Sequence, residues 1–160
     1  MSGFIAEVEA RLVHVGREAI LRAMSDPADL YRAVLMDHAR RPRRRGQLPP
    51  PARTADVSNA LCGDRAIVSV AVVDGVVAAV ACAGDGCAIS VAAASLLAGA
   101  IAGGTVTAAR ALTASVRAAV AGDGGPPLEG ELAALASVAA FPARRRCATL
   151  VCDALDEALG

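Results

Sequence analysis

Five cysteines are the residues of this 160-residue chain best suited to chemistry, because a thiolate is both a nucleophile and a soft metal ligand. Cys62 follows a predicted strand, Cys87 begins a predicted helix and Cys147 lies on the last predicted helix. The count is odd and residues 1–20 contain no apolar export segment. We therefore expect a cytoplasmic protein whose cysteines serve metal binding, catalysis or packing rather than disulfides.

An aspartate lies two residues after the first of these cysteines. In an extended segment such side chains point to the same side, so Cys62 and Asp64 are expected to converge, with Gly63 allowing a close bend. Together with Cys87 and Cys147 they supply three thiolates and a carboxylate, a set suited to tetrahedral Zn²⁺. Three thiolates could instead hold much of an iron–sulfur cluster. The harder aspartate is predicted to be the more exchangeable ligand. The sequence contains no C-x₂-C pair, so a zinc ribbon or finger is not indicated.

Two of the three thiols are predicted to be activated by their positions. Cys87 at a helix N-terminus would feel the positive end of the helix dipole. Arg144 precedes Cys147 by three residues, so on a helix it would share a face with that thiol and favour the thiolate. Cys82 lies inside an apolar strand and Cys152 lies off the face of Cys147, so both are predicted to pack in the core.

These side chains must be positioned by a small sheet and the helices that follow it. Asp26 and Pro27 predict the start of a helix over 27–40. Residues 53–83 predict three antiparallel strands, and Asp74-Gly75 is a strong hairpin signal between the second and the third. The later pattern is helical, with predicted helices at 88–102, 105–121, 129–138 and 142–159. We therefore predict an α+β domain: a three-stranded antiparallel sheet with helices packed on one face.

The ends of the apolar pattern set the predicted domain limits. Residues 3–24 have helical spacing of apolar side chains, which predicts an N-terminal helical extension at 1–26 and a main domain at 27–160.

The 24 residues from Gly86 to Ala109 carry no charge. Their alanine, glycine, serine and threonine content favours a buried core helix over a membrane span, so no membrane association is predicted.

The charge is balanced overall but clustered locally. All 16 basic residues are arginine and there are 16 acidic residues, a balance that argues against a dedicated nucleic-acid binder. Five arginines occupy 40–45, which is either a solvated loop, a docking patch for an acidic partner or, least favoured, a nucleic-acid contact. Neither His14 nor His38 is predicted to be a ligand.

Four segments resemble the NifU-N/IscU-like family of iron–sulfur cluster assembly proteins, specifically its SufU branch. They are Leu30–His38 with Arg41-Pro42-Arg43, Asn59 with Cys62–Arg65, Gly84–Ser90, and Phe141–Arg144 with Cys147–Leu150. The resemblance runs from about Asp29 to the C-terminus and implies a SufE/NifU-like fold. Arg44 departs from the asparagine that is frequent at its position.

The resemblance implies a zinc site made by Cys62, Asp64, Cys87 and Cys147, with Arg144 as the family's arginine near it. It implies that Cys62 accepts persulfide sulfur from a SufS-type cysteine desulfurase, once a histidine of that partner replaces Cys62 on the zinc. The chain would then be a sulfur-transfer partner rather than a conventional turnover enzyme. A SufBCD-type scaffold or apo iron–sulfur proteins would receive the product.

Two alternatives remain open. The IscU branch, a transient [2Fe–2S] scaffold that would hold iron or a cluster instead of zinc, has a histidine before the third cysteine, where this chain has Arg146. It also has a Leu-Pro-Pro-Val-Lys motif where this chain has Phe141–Arg145, and a shorter gap than that between Cys87 and Cys147. All three features favour the SufU branch. The other alternative is a structural zinc protein that docks a partner through Arg40–Arg45.

Overall fold

A computed structural model describes residues 26–160. The predicted helix at 3–24 lies outside them, so the division at 26 stays a prediction. Helix α1, Pro27–Arg40, begins as its sequence predicts: the Asp26 carboxylate accepts a hydrogen bond of 2.9 Å from the backbone N–H of Ala28. The helix ends two residues before Pro42, which cannot donate the next helical hydrogen bond.

The sheet has three antiparallel strands in the order β1-β2-β3, as predicted: β1 is Arg53–Asn59, β2 is Asp64–Val73 and β3 is Val76–Ala83. Asp74 and Gly75 join β2 to β3 with positive φ angles of 51° and 74°. That pair of angles is required by the type I′ turn, whose twist matches the strands. The hairpin signal in the sequence is therefore confirmed.

Four further helices follow the sheet: α2 is Ala88–Ile101, α3 is Val106–Ala121, α4 is Ala133–Ala136 and α5 is Arg145–Leu159. The predicted helix at 129–138 is instead a 3₁₀ turn, the short α4 and a second 3₁₀ turn. The predicted start at 142 is likewise a 3₁₀ turn, Pro142–Arg144. Such tight turns are common where helices are short or terminate.

The helices cover one face of the sheet. Helix α5 packs on β1 and β2, while α2 packs on β3; α1 then covers α2, and α3 covers α5. Alternate residues of β2, namely Ala66, Val68 and Val70, point into this core with the period of two expected of a strand. The α2 core residues Ala92 and Ala93 are fully buried, and their small size lets the helix backbone approach its neighbours closely.

Three chain segments meet at the same edge of the domain. The turn between β1 and β2, the loop after β3 and the start of α5 all lie there, whereas the Asp74-Gly75 turn marks the opposite end. The uncharged stretch is divided between α2 and α3, and among residues 26–160 no helix has the length and apolarity of a membrane span. The buried-helix interpretation is confirmed for α2.

Candidate metal centre

Cys62 lies on the tight turn that joins β1 to β2. Residues 60–63 form the turn, Gly63 adopts a φ of +71°, and its N–H donates to the carbonyl oxygen of Asn59 at 2.9 Å. The expected extended geometry around Cys62 is therefore wrong, although the expected convergence with Asp64 is found. It arises because the turn folds Cys62 back over the first residue of β2.

Asp64 is the buried centre of the site. It is on the core-facing side of β2, two residues before Ala66, and only 4% of it is exposed. The candidate ligand atoms of Cys62, Asp64 and Cys147 all lie within 4.8 Å of one another. Three of the four predicted ligands are thus brought together from two separate parts of the chain.

Both carboxylate oxygens of Asp64 are held by α2. Oδ1 accepts from the backbone N–H of Cys87 at 3.1 Å, and Oδ2 accepts from the Ser90 hydroxyl at 2.6 Å. Burial alone would raise the pKa of Asp64, but hydrogen bonds from Ser90, the neighbouring thiols and the Cys87 N–H hold it below its usual value. Asp64 is thus buried and hydrogen-bonded, whereas Cys62 is the exposed member of the group; the expectation that aspartate is the more exchangeable ligand stays a prediction.

Cys87, the fourth predicted ligand, lies beside the group of three. It is the N-cap residue of α2, as predicted, and is half-buried, with Sγ 3.8 Å from Oδ2 of Asp64. The preceding glycines allow this approach. A Cβ on Gly84 would lie 2.0 Å from the carbonyl oxygen of Arg65, and one on Gly86 would lie 2.8 Å from Cβ of Ser90.

Cys147 lies in the first turn of α5 and is 3% exposed. Burial, with the adjacent Asp64 and Cys87, raises the pKa of its thiol to about 12. The structure shows no contact behind the prediction that Arg144 favours a Cys147 thiolate. Arg144 immediately precedes α5, and its exposed side chain makes no hydrogen bond or ion pair with residues 26–160.

Two polar side chains support the site in roles that the sequence analysis did not assign. Ser90 lies within 3.1 Å of the carbonyl oxygen of Cys147 as well as 2.6 Å from Asp64, and so joins α2, β2 and α5. The amide of Asn59 donates to Sγ of Cys62 at 3.0 Å. Both residues belong to the recognised motif segments, but only the folded chain shows which atoms they contact.

His38 is buried away from this centre, with 4% exposure. Its Nδ1 lies 2.7 Å from the Ser95 hydroxyl and its Nε2 lies 3.0 Å from Glu131. Ser95 also accepts from the backbone N–H of Arg43 at 2.7 Å. The histidine therefore ties α1 to α2 and to the 3₁₀ turn before α4, a structural role that its position near a helix end did not reveal.

The remaining cysteines pack in the core, as predicted. Cys82 and Cys152 are 5% and 0% exposed. Burial raises the pKa of each thiol to about 12, which keeps both protonated and unreactive at neutral pH.

Comparison with known sequences matches residues 30–148 to the family described as NifU-like N terminal domain. The chain is 37% identical over 139 residues to the iron–sulfur cluster assembly scaffold protein IscU of Streptococcus pyogenes serotype M1, covering 86% of this chain and 87% of that protein. It is 35% identical over 131 residues to the zinc-dependent sulfurtransferase SufU of Bacillus subtilis strain 168, covering 80% and 88%.

Solved structures share the fold. A NifU-like N-terminal domain from Brucella abortus superposes with a TM-score of 0.71 at 28% identity, over 79% of this chain and 89% of that one. A protein described as a scaffold for iron–sulfur cluster assembly in the SUF system of Fervidobacterium islandicum AW-1 gives a TM-score of 0.75. Its 23% identity, over 79% of this chain and 94% of that one, makes it a match of fold.

Proposed function

The chain belongs to the family of NifU-like N-terminal domains, and on that premise we propose that it serves iron–sulfur cluster assembly by accepting sulfur on Cys62 from a cysteine desulfurase. One observation supports this role above the others. Cys62 is exposed on a turn, whereas its two partners in the ligand group, Asp64 and Cys147, are buried. A sulfur atom that is handed over by another protein must arrive at an accessible nucleophile.

The donor set suits zinc. Cys62, Asp64, Cys87 and Cys147 would hold the ion, since three sulfurs and one oxygen are common ligands of tetrahedral Zn²⁺. The buried carboxylate already has the orienting hydrogen bonds that metal-binding carboxylates usually have in their outer shell. When bound, zinc would favour the deprotonated thiolate form of the cysteines. The zinc dependence named for the Bacillus subtilis relative supports the same assignment.

The transfer step itself is a thiol exchange. The Cys62 thiolate attacks the terminal sulfur of the cysteine persulfide on the desulfurase. A new sulfur–sulfur bond forms at Cys62 as the old one breaks, and the desulfurase cysteine leaves as a thiolate. No net oxidation occurs, and the proton on the terminal sulfur travels with it. The Asn59 amide, 3.0 Å from Sγ, is placed to stabilise the thiolate before attack.

Arg144 enters this proposal as a partner contact rather than as an activator of Cys147. Arg144 is exposed, as is Phe141 three residues earlier, whereas Cys147 three residues later is buried. The guanidinium therefore lies on the surface, close in sequence to the site. There it could meet an acidic group of the desulfurase during transfer. Sulfur held on Cys62 would then pass to a SufBCD-type scaffold or to apo iron–sulfur proteins.

A transient [2Fe–2S] scaffold is the second candidate, since IscU and SufU both occur among the relatives. One contact favours the zinc proposal. Arg146 occupies the position before the third cysteine where IscU-type proteins have histidine, and its guanidinium lies 2.5 Å from Asp153. This side chain is engaged with its own helix and offers no lone pair to a metal.

The proposal is tested by mixing purified protein with its cognate desulfurase and measuring sulfide release, together with the metal content of protein prepared without added metal. We expect about one zinc per chain and a stimulated rate that Cys62→Ala abolishes. Cys152→Ala is the matched control, because that buried thiol lies outside the site.

No stimulation by the wild type would refute the sulfur-acceptor role. A Cys62→Ala variant that stimulates normally but has lost stability would instead indicate a structural zinc protein. Anaerobic formation of a transferable cluster by a zinc-free protein would indicate the scaffold.

A further inference from the structure

The last residue of α1 and the segment that follows it carry five arginines at 40–45, which we call the arginine loop. Arg43 lies 2.6 Å from the Asp37 carboxylate, and Arg41 lies 3.9 Å from it with 84% of its side chain exposed. Arg44 is exposed and forms no ion pair within the described part of the chain. In a chain whose formal net charge is zero, this loop is a local excess of positive charge.

The arginine loop is held against the sheet edge next to the metal centre. Arg45 forms a parallel bridge with Cys82 of β3, and its guanidinium donates to the carbonyl oxygen of Gly84 at 3.1 Å. Arg43 and Arg45 line a narrow crevice whose other walls include Ser90 and Cys147. The sequence places the arginines some twenty residues before Cys62, whereas the fold places them beside the site.

Two large apolar side chains are exposed close to the site cysteines. Leu61, which precedes Cys62 on the turn, is 97% exposed. Phe141, in the segment that leads to Cys147, is 60% exposed. An apolar centre with a charged rim is the usual anatomy of a protein–protein interface. Nucleic acid would be favoured by stacking aromatics, and this chain has three aromatic residues in all.

We propose that the arginine loop is the electrostatic part of a docking surface around the metal centre, and that its complement is an acidic surface segment on the sulfur-donor protein. The identification of that partner rests on the proposed function. Charges at the rim of an interface act mainly by steering the encounter, so they change the association rate and its salt dependence. The arginine loop would thus guide the donor persulfide toward exposed Cys62.

The test compares wild type with the double variant Arg41→Glu/Arg44→Glu. The concentration that half-saturates stimulation of the cognate desulfurase is measured in low and in high salt. Two charge reversals at exposed positions should raise that concentration about tenfold in low salt, and much less in high salt. Zinc content and thermal midpoint equal to wild type verify that the variant folds. Arg110→Glu is the matched control, because Arg110 is exposed on α3 near the opposite end of the sheet.

Half-saturation at the wild-type concentration by the double variant would overturn the inference, as would an equal effect of Arg110→Glu. Binding of a labelled RNA duplex by wild type that is lost in the double variant, with stimulation unchanged, would also overturn it in favour of nucleic acid. Failure of the proposed function is distinguishable, because wild type would then give no stimulation at any concentration. The affinity of the two proteins for each other is then measured by calorimetry. Weaker binding by the double variant than by wild type supports docking through the arginine loop, and equal binding overturns it.

Discussion

Ser90→Ala is the substitution that tests most sharply how the metal centre is organised. The Ser90 hydroxyl lies 2.6 Å from Oδ2 of Asp64, and removing it leaves the carboxylate with the Cys87 N–H on its other oxygen. Asp64 is only 4% exposed, so water cannot easily replace the lost donor. The carboxylate would then be free to rotate away from the position in which it faces the two cysteines.

The expected cost follows from the type of hydrogen bond. A bond from a hydroxyl to a carboxylate contributes roughly 1.5–3 kcal/mol, and a partner that orients a metal ligand typically contributes about 10- to 100-fold in metal affinity. The two ranges agree, because about 1.4 kcal/mol corresponds to a tenfold change in a binding constant. We therefore expect Ser90→Ala to weaken zinc binding by about 10- to 100-fold.

The assay is competition for zinc with a chromophoric chelator, followed by the absorption spectrum of the cobalt-substituted protein. The spectrum should change with loss of the carboxylate orientation while the thiolate bands persist. Ser115→Ala is the matched control, since among residues 26–160 its hydroxyl bonds only to the carbonyl oxygen of Ala111, within α3. An unchanged zinc affinity and cobalt spectrum for Ser90→Ala would refute the view that this hydroxyl orients Asp64.

Three further outcomes are expected. Gly86→Ala should lower zinc affinity by about tenfold in the same competition assay, because its Cβ would lie 3.2 Å from the carboxyl carbon of Asp64 and displace it; equal affinity would contradict this. Thr113→Val should reduce the free energy of unfolding in urea by about 1–3 kcal/mol, since a buried hydroxyl bond of 2.8 Å to Asp156 is lost, and a change near zero would show that this bond is dispensable. Burial would raise the pKa of Asp153, but hydrogen bonds from arginines of α3 and α5 hold it below its usual value. Its stabilisation is therefore present above about pH 4 and lost as pH falls through the folded pKa. Asp153→Asn should lower the thermal midpoint at neutral pH and have little effect at about pH 2, whereas an equal loss at both would contradict the assignment.

The sheet and its hairpin were predictable because their signals are local. Asp74-Gly75 specifies a turn that only a few residue pairs adopt, and the β-branched run before it favours a strand. The segment around α4 was not predictable in the same way. Its short 3₁₀ turns are fixed by contacts with α1 and α3, which lie far away in the sequence.

The candidate site was predictable in its members but not in its mechanics. Residue type and the motif segments predicted Cys62, Asp64, Cys87 and Cys147, and the structure brings Cys62, Asp64 and Cys147 together with Cys87 beside them. The sequence could not show that Asp64 is the buried member of the group and Cys62 the exposed one, because burial depends on which elements cover each position. Nor could it show that the Arg144 side chain is exposed and makes no ion pair within residues 26–160.

The orienting contacts of the site form a second group that spacing cannot reveal. Ser90 is separated from Asp64 by 26 residues and from Cys147 by 57, so its contacts exist only once α2 and α5 pack together. The same holds for the arginine loop, which reaches the site through the edge of β3. Residues that orient a site are therefore found from packing, whereas its candidate ligands are predicted from residue type and motif.

The central claim, that Cys62 accepts sulfur, is tested most directly by the mass of the protein after contact with a desulfurase. The protein is mixed with persulfide-loaded desulfurase under anaerobic conditions, separated, blocked with an alkylating reagent and digested. We predict a single added sulfur on the peptide that contains Cys62, and none on the peptides of Cys87, Cys147 or Cys152. Absence of that sulfur, or its appearance on another cysteine, would contradict the account.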